Sequence, residues 1–296
     1  QGLARMARWL RRDFGITHTF PLLGVMRFVK LQEMKFQILR DHVENWNWII
    51  MVDSDEFLSL PPTFGSLSRF VSFLDTQQKQ AVYGVVVDRV HHSGALDGPV
   101  GPQTLLDTEY PLHCCLTLAI TAGDVRRVPI FRGSLRTEPG NHEILGLVLE
   151  TSIRMHQQNP NSSRILRDNI RSRLGENMWK LLPTPYFARF PIVNMYPQVL
   201  TLHHFKFLGG VEQKLQRKTY TLDGCCGTYA SMVDIIKAGG LSQLEVNQLC
   251  INRGRGGQVG RQRKFAELSA KELYWLYVEH DGTLPNITQD KAMREP

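Results

Sequence analysis

Asp53, Asp55 and Glu56 fall within four positions, directly behind the apolar run Trp48-Ile49-Ile50-Met51-Val52, and Phe57 and Leu58 follow them. Three carboxylates this close repel one another, and the arrangement becomes tolerable where a cation neutralises it. Binding a divalent cation is therefore the first chemistry these residues suggest. The apolar run predicts a fully buried strand, and ligands of open α/β sheets gather outside the carboxyl ends of the strands, where this cluster would sit. A solvated turn behind a buried strand is the other reading of the same residues.

The segment 48–58, with its Asp53-x-Asp55-Glu56-Phe57 core, resembles the DxD strand end of glycosyltransferases with the GT-A fold, in particular the family-2-like group whose motif runs on as Asp-Glu-Phe. Further segments follow in that family's order. Val87-Asp88-Arg89-Val90 comes after a β-rich run at 82–87, and Asn141-His142-Glu143 after another at 127–132. His203-His204-Phe205-Lys206 closes a fourth, with Lys214 and Lys218 downstream. The resemblance covers residues 20–220. It implies an α/β protein with a Rossmann-like mixed sheet flanked by helices. It also implies a metal-dependent, inverting transfer of sugar from a nucleotide-diphospho-sugar donor to a glycan or glycoconjugate acceptor. Asp53 and Asp55 would hold Mn²⁺ or Mg²⁺, which bridges the donor diphosphate.

Other roles follow from the same resemblance. Successive strand residues point to opposite faces, so only one of His203 and His204 can face a metal beside the two aspartates, and the family's strand-end His before an aromatic residue selects His204. The pair could equally be histidines with ordinary hydrogen bonds. Inverting transfer needs a base for the acceptor hydroxyl, and Glu143, 88 positions past Asp55, stands where the family carries that carboxylate. Asp88 is the alternative base, although an Asp beside Arg89 also fits a structural pair. Lys206, Lys214 and Arg132 are candidates for phosphate contact, Lys206 foremost as a donor-binding residue. His142, behind Glu138-Pro139-Gly140-Asn141, belongs either to a loop at the active edge or to a plain turn.

Two other functional classes compete. Haloacid-dehalogenase-type phosphatases also place Asp-x-Asp behind a buried strand, the first Asp as nucleophile, with Mg²⁺. They follow it with a small residue where this chain has Glu56 and Phe57. A degenerate glycosyltransferase domain that binds without catalysis is the third reading. The net charge of +7 and pI of about 9.2 suit a diphosphate or an anionic acceptor, and equally an ordinary basic surface. The basic glycine-rich stretch 253–264 holds a single Arg-Gly-Gly with no interleaved aromatics for base stacking, which argues against nucleic acid.

The elements that must position these residues are coarser. An apolar content of 42% over 296 residues supports a sizeable core, and no run reaches the 18 or so apolar residues of a membrane span. We expect a GT-A-like domain at 1–220 and a helical, basic extension at 221–296. Residues 1–13 read as an amphipathic helix and 16–20 as a strand, so the chain would start inside a domain, without its nucleoside-binding N-terminal strands. Helices are expected at 31–46, with Leu31, Met34, Ile38 and Trp46 inward, at 162–182 and at 266–278. The segment 91–112 reads as a functional loop. Cys114, Cys115, Cys225, Cys226 and Cys250 show no C-x-x-C spacing and are expected as buried free thiols. The sequons at Asn161 and Asn286 matter only in a secretory lumen. The expected compartment is the Golgi lumen for a eukaryotic chain with an anchor, and otherwise the cytoplasm.

Overall fold

The computed structural model describes residues 8, 11–12, 28–101, 103–121, 125–137, 139–145, 180, 193–221 and 227–252. Its strands are β1 (Trp48–Ile50), β2 (Glu56–Ser59), β3 (Ala81–Val90), β4 (Leu112–Cys114), β5 (Arg126–Arg132), β6 (Leu200–His204) and β7 (Cys250–Asn252). The helices are α1 (Phe28–His42), α2 (Leu67–Thr76), α3 (Leu106–Glu109), α4 (Leu116–Thr121), α5 (Val211–Thr221), α6 (Gly227–Lys237) and α7 (Gln243–Leu249). The expected helices at 162–182 and 266–278 and the loop 253–264 lie outside the described residues, as do most of residues 1–20.

β3 organises the sheet because all ten of its residues are buried, as its run of β-branched valines predicts. Along one edge it pairs antiparallel, first with β5 and then with β4; along the other it runs parallel to β6. β1 adds to β5, β2 to β6 and β7 to β4, which gives, among the described residues, a curled mixed sheet of seven strands flanked by helices. The α/β expectation holds at this level. Gly84 makes the β3–β6 contact possible: a Cβ there would stand 2.3 Å from Leu202 Cδ1.

Two local expectations fail. β1 is not fully buried: Ile49 is, but Ile50 is 43% exposed. Among the described residues the strand pairs only with β5, one neighbour where its apolar run suggests two. The helix expected at 31–46 is α1, which ends at His42 and turns Gln32, Phe36 and Leu39 inward, leaving Trp46 beyond it and 69% exposed. Met34 and Ile38 are only partly buried, because the inward stripe is rotated by about one residue. In α2 the Ser66 hydroxyl accepts from Arg69 N–H and caps the helix, whose Phe70 and Leu74 fill the core under β3 and β5.

The expected boundary at residue 220 runs through a shared core. Val90, Leu112 and Phe207 pack in one cluster with Met232, Val233 and Leu241, and β7 joins the sheet beside β4. Nor are all the thiols free. Register places Cys114 opposite Cys250, and the two form a disulfide across 136 positions; sequence spacing carries no signal for a pair that only the sheet brings together. Cys115 is a buried free thiol, and Cys225 and Cys226 lie outside the described residues. Replacing Cys114 and Cys250 together by Ala should lower stability by about 2–5 kcal/mol in chemical denaturation, since the cross-link restricts the unfolded chain. Non-reducing peptide mapping should recover the two segments linked. Unlinked peptides and unchanged stability would contradict the pairing.

Candidate functional site

β1 and β3 each run antiparallel to β5, and β6 runs parallel to β3, so the carboxyl ends of β1, β3 and β6 lie along one edge of the sheet. Residues 51–55 cross that edge as a strap from β1 to β2. A turn closes it, with Glu56 N–H donating to Asp53 O at 3.0 Å, and Asp53 N–H donates to Glu56 Oε2 at 3.2 Å. The far end is fixed where Phe205 N–H donates to Asp55 O at 2.8 Å. Asp53 is exposed, Asp55 half-buried and Glu56 buried.

Each carboxylate of the cluster meets its own protein cation. Glu56 Oε1 lies 3.3 Å from Arg127 Nε at the start of β5. Asp53 is in electrostatic reach of Lys35 on α1. Asp55 Oδ2 lies 3.7 Å from His204 Nε2, an ion-pair distance too long for a hydrogen bond. The facing His204 is the main reason the Asp55 carboxyl lies below its ordinary pKa, with Lys206 adding to it. The self-repulsion read from the sequence is thus met by side chains of the fold itself.

Asp88 and His204 are register partners on neighbouring parallel strands, so they share a face. His204 Nδ1 bonds Asp88 Oδ1 at 2.9 Å. Asp88 also accepts from Thr117 N–H at 2.6 Å and from the Thr117 hydroxyl at 2.9 Å. Burial works against a charged His204, but the Asp55 and Asp88 carboxylates outweigh it and raise the imidazole to about 9. The result is a line, Asp88 to His204 to Asp55, in which a buried carboxylate fixes one ring nitrogen and aims the other at the strap. A carboxylate behind a histidine is the arrangement that orients metal-ligating imidazoles. A cation held by Asp55 and His204 Nε2 would have to displace the His204 proton.

Beside this line stands a second cluster. Tyr83 donates to Glu143 Oε1 in a short hydrogen bond, and Arg126 Nη1 lies 3.6 Å from Glu143 Oε2. His142 Nδ1 is 2.7 Å from Arg127 Nη1. Gly140, at φ +78°, lets the His142 ring close over the turn, since a Cβ there would meet its Nε2 at 2.4 Å. Lys35 Nζ donates to Thr137 Oγ1 at 3.0 Å and to Asn141 Oδ1. Burial lowers its pKa to about 8, with the Asp53 charge acting the other way.

Several sequence-based assignments change here. Asp88 does not suit the part of acceptor base: its side chain is 1% exposed, against 19% for Glu143, so an acceptor hydroxyl has no access to it. It does not pair with Arg89 either. Neighbouring strand residues face apart, and Arg89 turns to Tyr110 O and Asp107, with His203 on the same side. Arg132 is remote from the edge, at the other end of β5, where it pairs with Asp75 and stacks on Trp48. Lys214 is exposed on α5, and the Lys218 side chain is outside the described residues. Lys206 acts electrostatically on both Asp55 and His204. Lys35, Tyr83, Arg126, Arg127 and Thr117 were not singled out from sequence. Only Lys35 carried a usable signal, as a lysine on the face that α1 buries.

The His204 imidazole of chelator-treated protein should titrate near pH 9 by NMR, above the ordinary 6.5. A raised folded-state pKa means the bound proton stabilises the fold fully below pH 6.5, and that contribution is lost as pH rises through about 9. Asp88→Asn should move the midpoint down. A wild-type midpoint near 6.5, or no movement in the variant, would contradict this geometry.

No family model, no curated protein and no solved structure matches this chain, so the side chains along the sheet edge are what its functional reading stands on.

Proposed function

We propose that this chain is a metal-dependent glycosyltransferase of the GT-A type, transferring a sugar with inversion from a nucleotide-diphospho-sugar to a glycan or glycoconjugate acceptor. The observation that supports it most is the line Asp88, His204, Asp55 at the carboxyl ends of parallel strands, with the Asp53 strap across it. Asp53, Asp55 and His204 Nε2 would hold Mn²⁺ or Mg²⁺. Bound there, the cation would neutralise charge on the departing diphosphate.

The chain's own groups do the rest. Asp88 and Thr117 keep the imidazole from turning. Lys35, Arg127 and Lys206 surround the strap with positive charge that suits a diphosphate. Glu143, oriented by Tyr83 and Arg126, is the acceptor base in this reading. Its proton comes from the acceptor hydroxyl, which attacks the anomeric carbon as the bond to the diphosphate breaks. Of the two compartments considered, the Cys114–Cys250 disulfide favours an oxidising lumen.

Asp55→Ala should abolish Mn²⁺-dependent nucleotide binding in calorimetry while the far-UV spectrum stays that of a folded chain. Equal affinity in variant and wild type would remove the metal assignment. Asp88→Asn should weaken Mn²⁺ about 10–100-fold, the usual worth of a carboxylate behind a ligating histidine. Glu143→Gln should spare donor binding and cut transfer by about 10²–10⁴-fold; transfer within a few-fold of normal would show that the base lies elsewhere.

A further inference from the structure

Past Asp88, β3 runs on to Val90 and delivers His91 and His92 to the start of the Gly- and Pro-rich loop. The loop returns through α3, whose last residue, Glu109, meets both histidines. His91 Nε2 lies 3.8 Å and His92 Nε2 3.9 Å from Glu109 Oε2, and one donor atom from each residue falls within 4.8 Å of the others. The backbone enforces this meeting: His92 N–H donates to Glu109 O at 3.0 Å, and Gly94 N–H turns back to His91 O at 2.8 Å. Arg89 ties the same return to β3 through Tyr110 O at 2.8 Å and Asp107 at 3.3 Å.

We propose that His91, His92 and Glu109 form a binding site for a zinc-like divalent transition metal, separate from the Asp53–Asp55 strap. Two imidazole nitrogens and one carboxylate oxygen are the donors that zinc selects, whereas Mn²⁺ and Mg²⁺ favour oxygen-rich sites. The two imidazoles lie face to face, centroids 3.9 Å apart and planes 37° apart, so the site forms as the His92 ring swings until both Nε2 atoms point at one ion. Tetrahedral donors around zinc stand roughly 3.3 Å apart, so the gaps to Glu109 must close by about half an ångström. The His92 and Glu109 side chains, 58% and 44% exposed, are free enough of packing to make that shift.

His91, the buried member, is already oriented. Its Nδ1 is engaged by the Ser93 hydroxyl at 2.7 Å, and its ring packs edge-on against Tyr110. Nε2 becomes the metal-facing nitrogen when Nδ1 carries the ring proton and gives it to the Ser93 hydroxyl, in place of accepting from Ser93 N–H at 3.3 Å. Three protein ligands leave one position on the metal for water or a small anionic or hydroxyl-bearing ligand. Such a metal would fasten α3 to the end of β3 and put an open coordination position on the exposed loop.

The test uses the full chain without an affinity tag, stripped with chelator and titrated with Zn²⁺ and with Co²⁺. Calorimetry, metal analysis and Co²⁺ ligand-field absorption are the readouts. Wild type should take up one equivalent that survives both Asp55→Asn and Cys225→Ser/Cys226→Ser. His92→Gln and Glu109→Gln, both at exposed positions where the fold should persist by circular dichroism, should each weaken that equivalent by about 100-fold or more and alter the Co²⁺ spectrum. Retained affinity and an unchanged spectrum in the His92→Gln/Glu109→Gln double variant would overturn the site, as would the absence of any equivalent that survives Asp55→Asn. Neither result bears on the strap, whose Mn²⁺ binding is read separately.

Discussion

Pairing of charge at one edge of a β-sheet is the constraint on which this structure turns. Two unit charges about 4 Å apart interact by about 4 kcal/mol at the effective dielectric of a protein surface. Carboxylates crowded into positions 53–56 therefore call for positive partners, the buried Glu56 most of all. The fold answers with a cation from a different element for each carboxylate: Lys35 from α1, Arg127 from β5, His204 from β6. Asp88 is the most deeply buried carboxylate of the edge, and it is the one with the most complete set of partners. A buried charge without partners would cost several kcal/mol, so β3, β6 and the start of α4 have to meet where they do.

That arrangement also divides the labour on β6. His204 turns to the strap, and His203 turns to Arg89 and to the ring of His113 on the opposite face. One strand end thus serves two environments. The strap side is held by carboxylates, while the other is an aromatic and guanidinium stack that includes Phe205 under Arg89. The alternation of strand side chains makes this division from two adjacent identical residues.

The central strands were legible because burial leaves a compositional trace. The run 82–87 could only be an interior strand, and 127–132 and 199–202 marked β5 and β6 to within one or two residues. What lay at the edges was not legible. The apolar run at 48–52 looks central, yet among the described residues β1 pairs on one side only, since composition reports apolar content and not the number of neighbouring strands. The inward stripe of α1 was misplaced because Gln32 and Lys35, polar by type, occupy the inward side to meet Thr137 and Asn141. Residues acting from a distance in sequence left no pattern to read: Cys114 with Cys250, Thr117 with Asp88, Tyr83 with Glu143. The role of Glu109 was hidden for the same reason, although His91 and His92 stand side by side in the chain.

The strap is also a matter of reach. From Ile50 to Glu56 the chain can stretch about 20 Å at most, and the turn at 53–56 holds its own ends within about 7 Å, which leaves about 17 Å. A flat sheet in the order β1, β5, β3, β6, β2 would set the two outer strands about 19 Å apart. The connection is too short for a flat sheet, so it works as a drawstring that holds the edge curled inward. Curvature of the sheet and position of the carboxylates are then a single variable. Slack of even one residue before Asp53 would let the sheet open and the carboxylates move away from His204, with every side chain of the site unchanged.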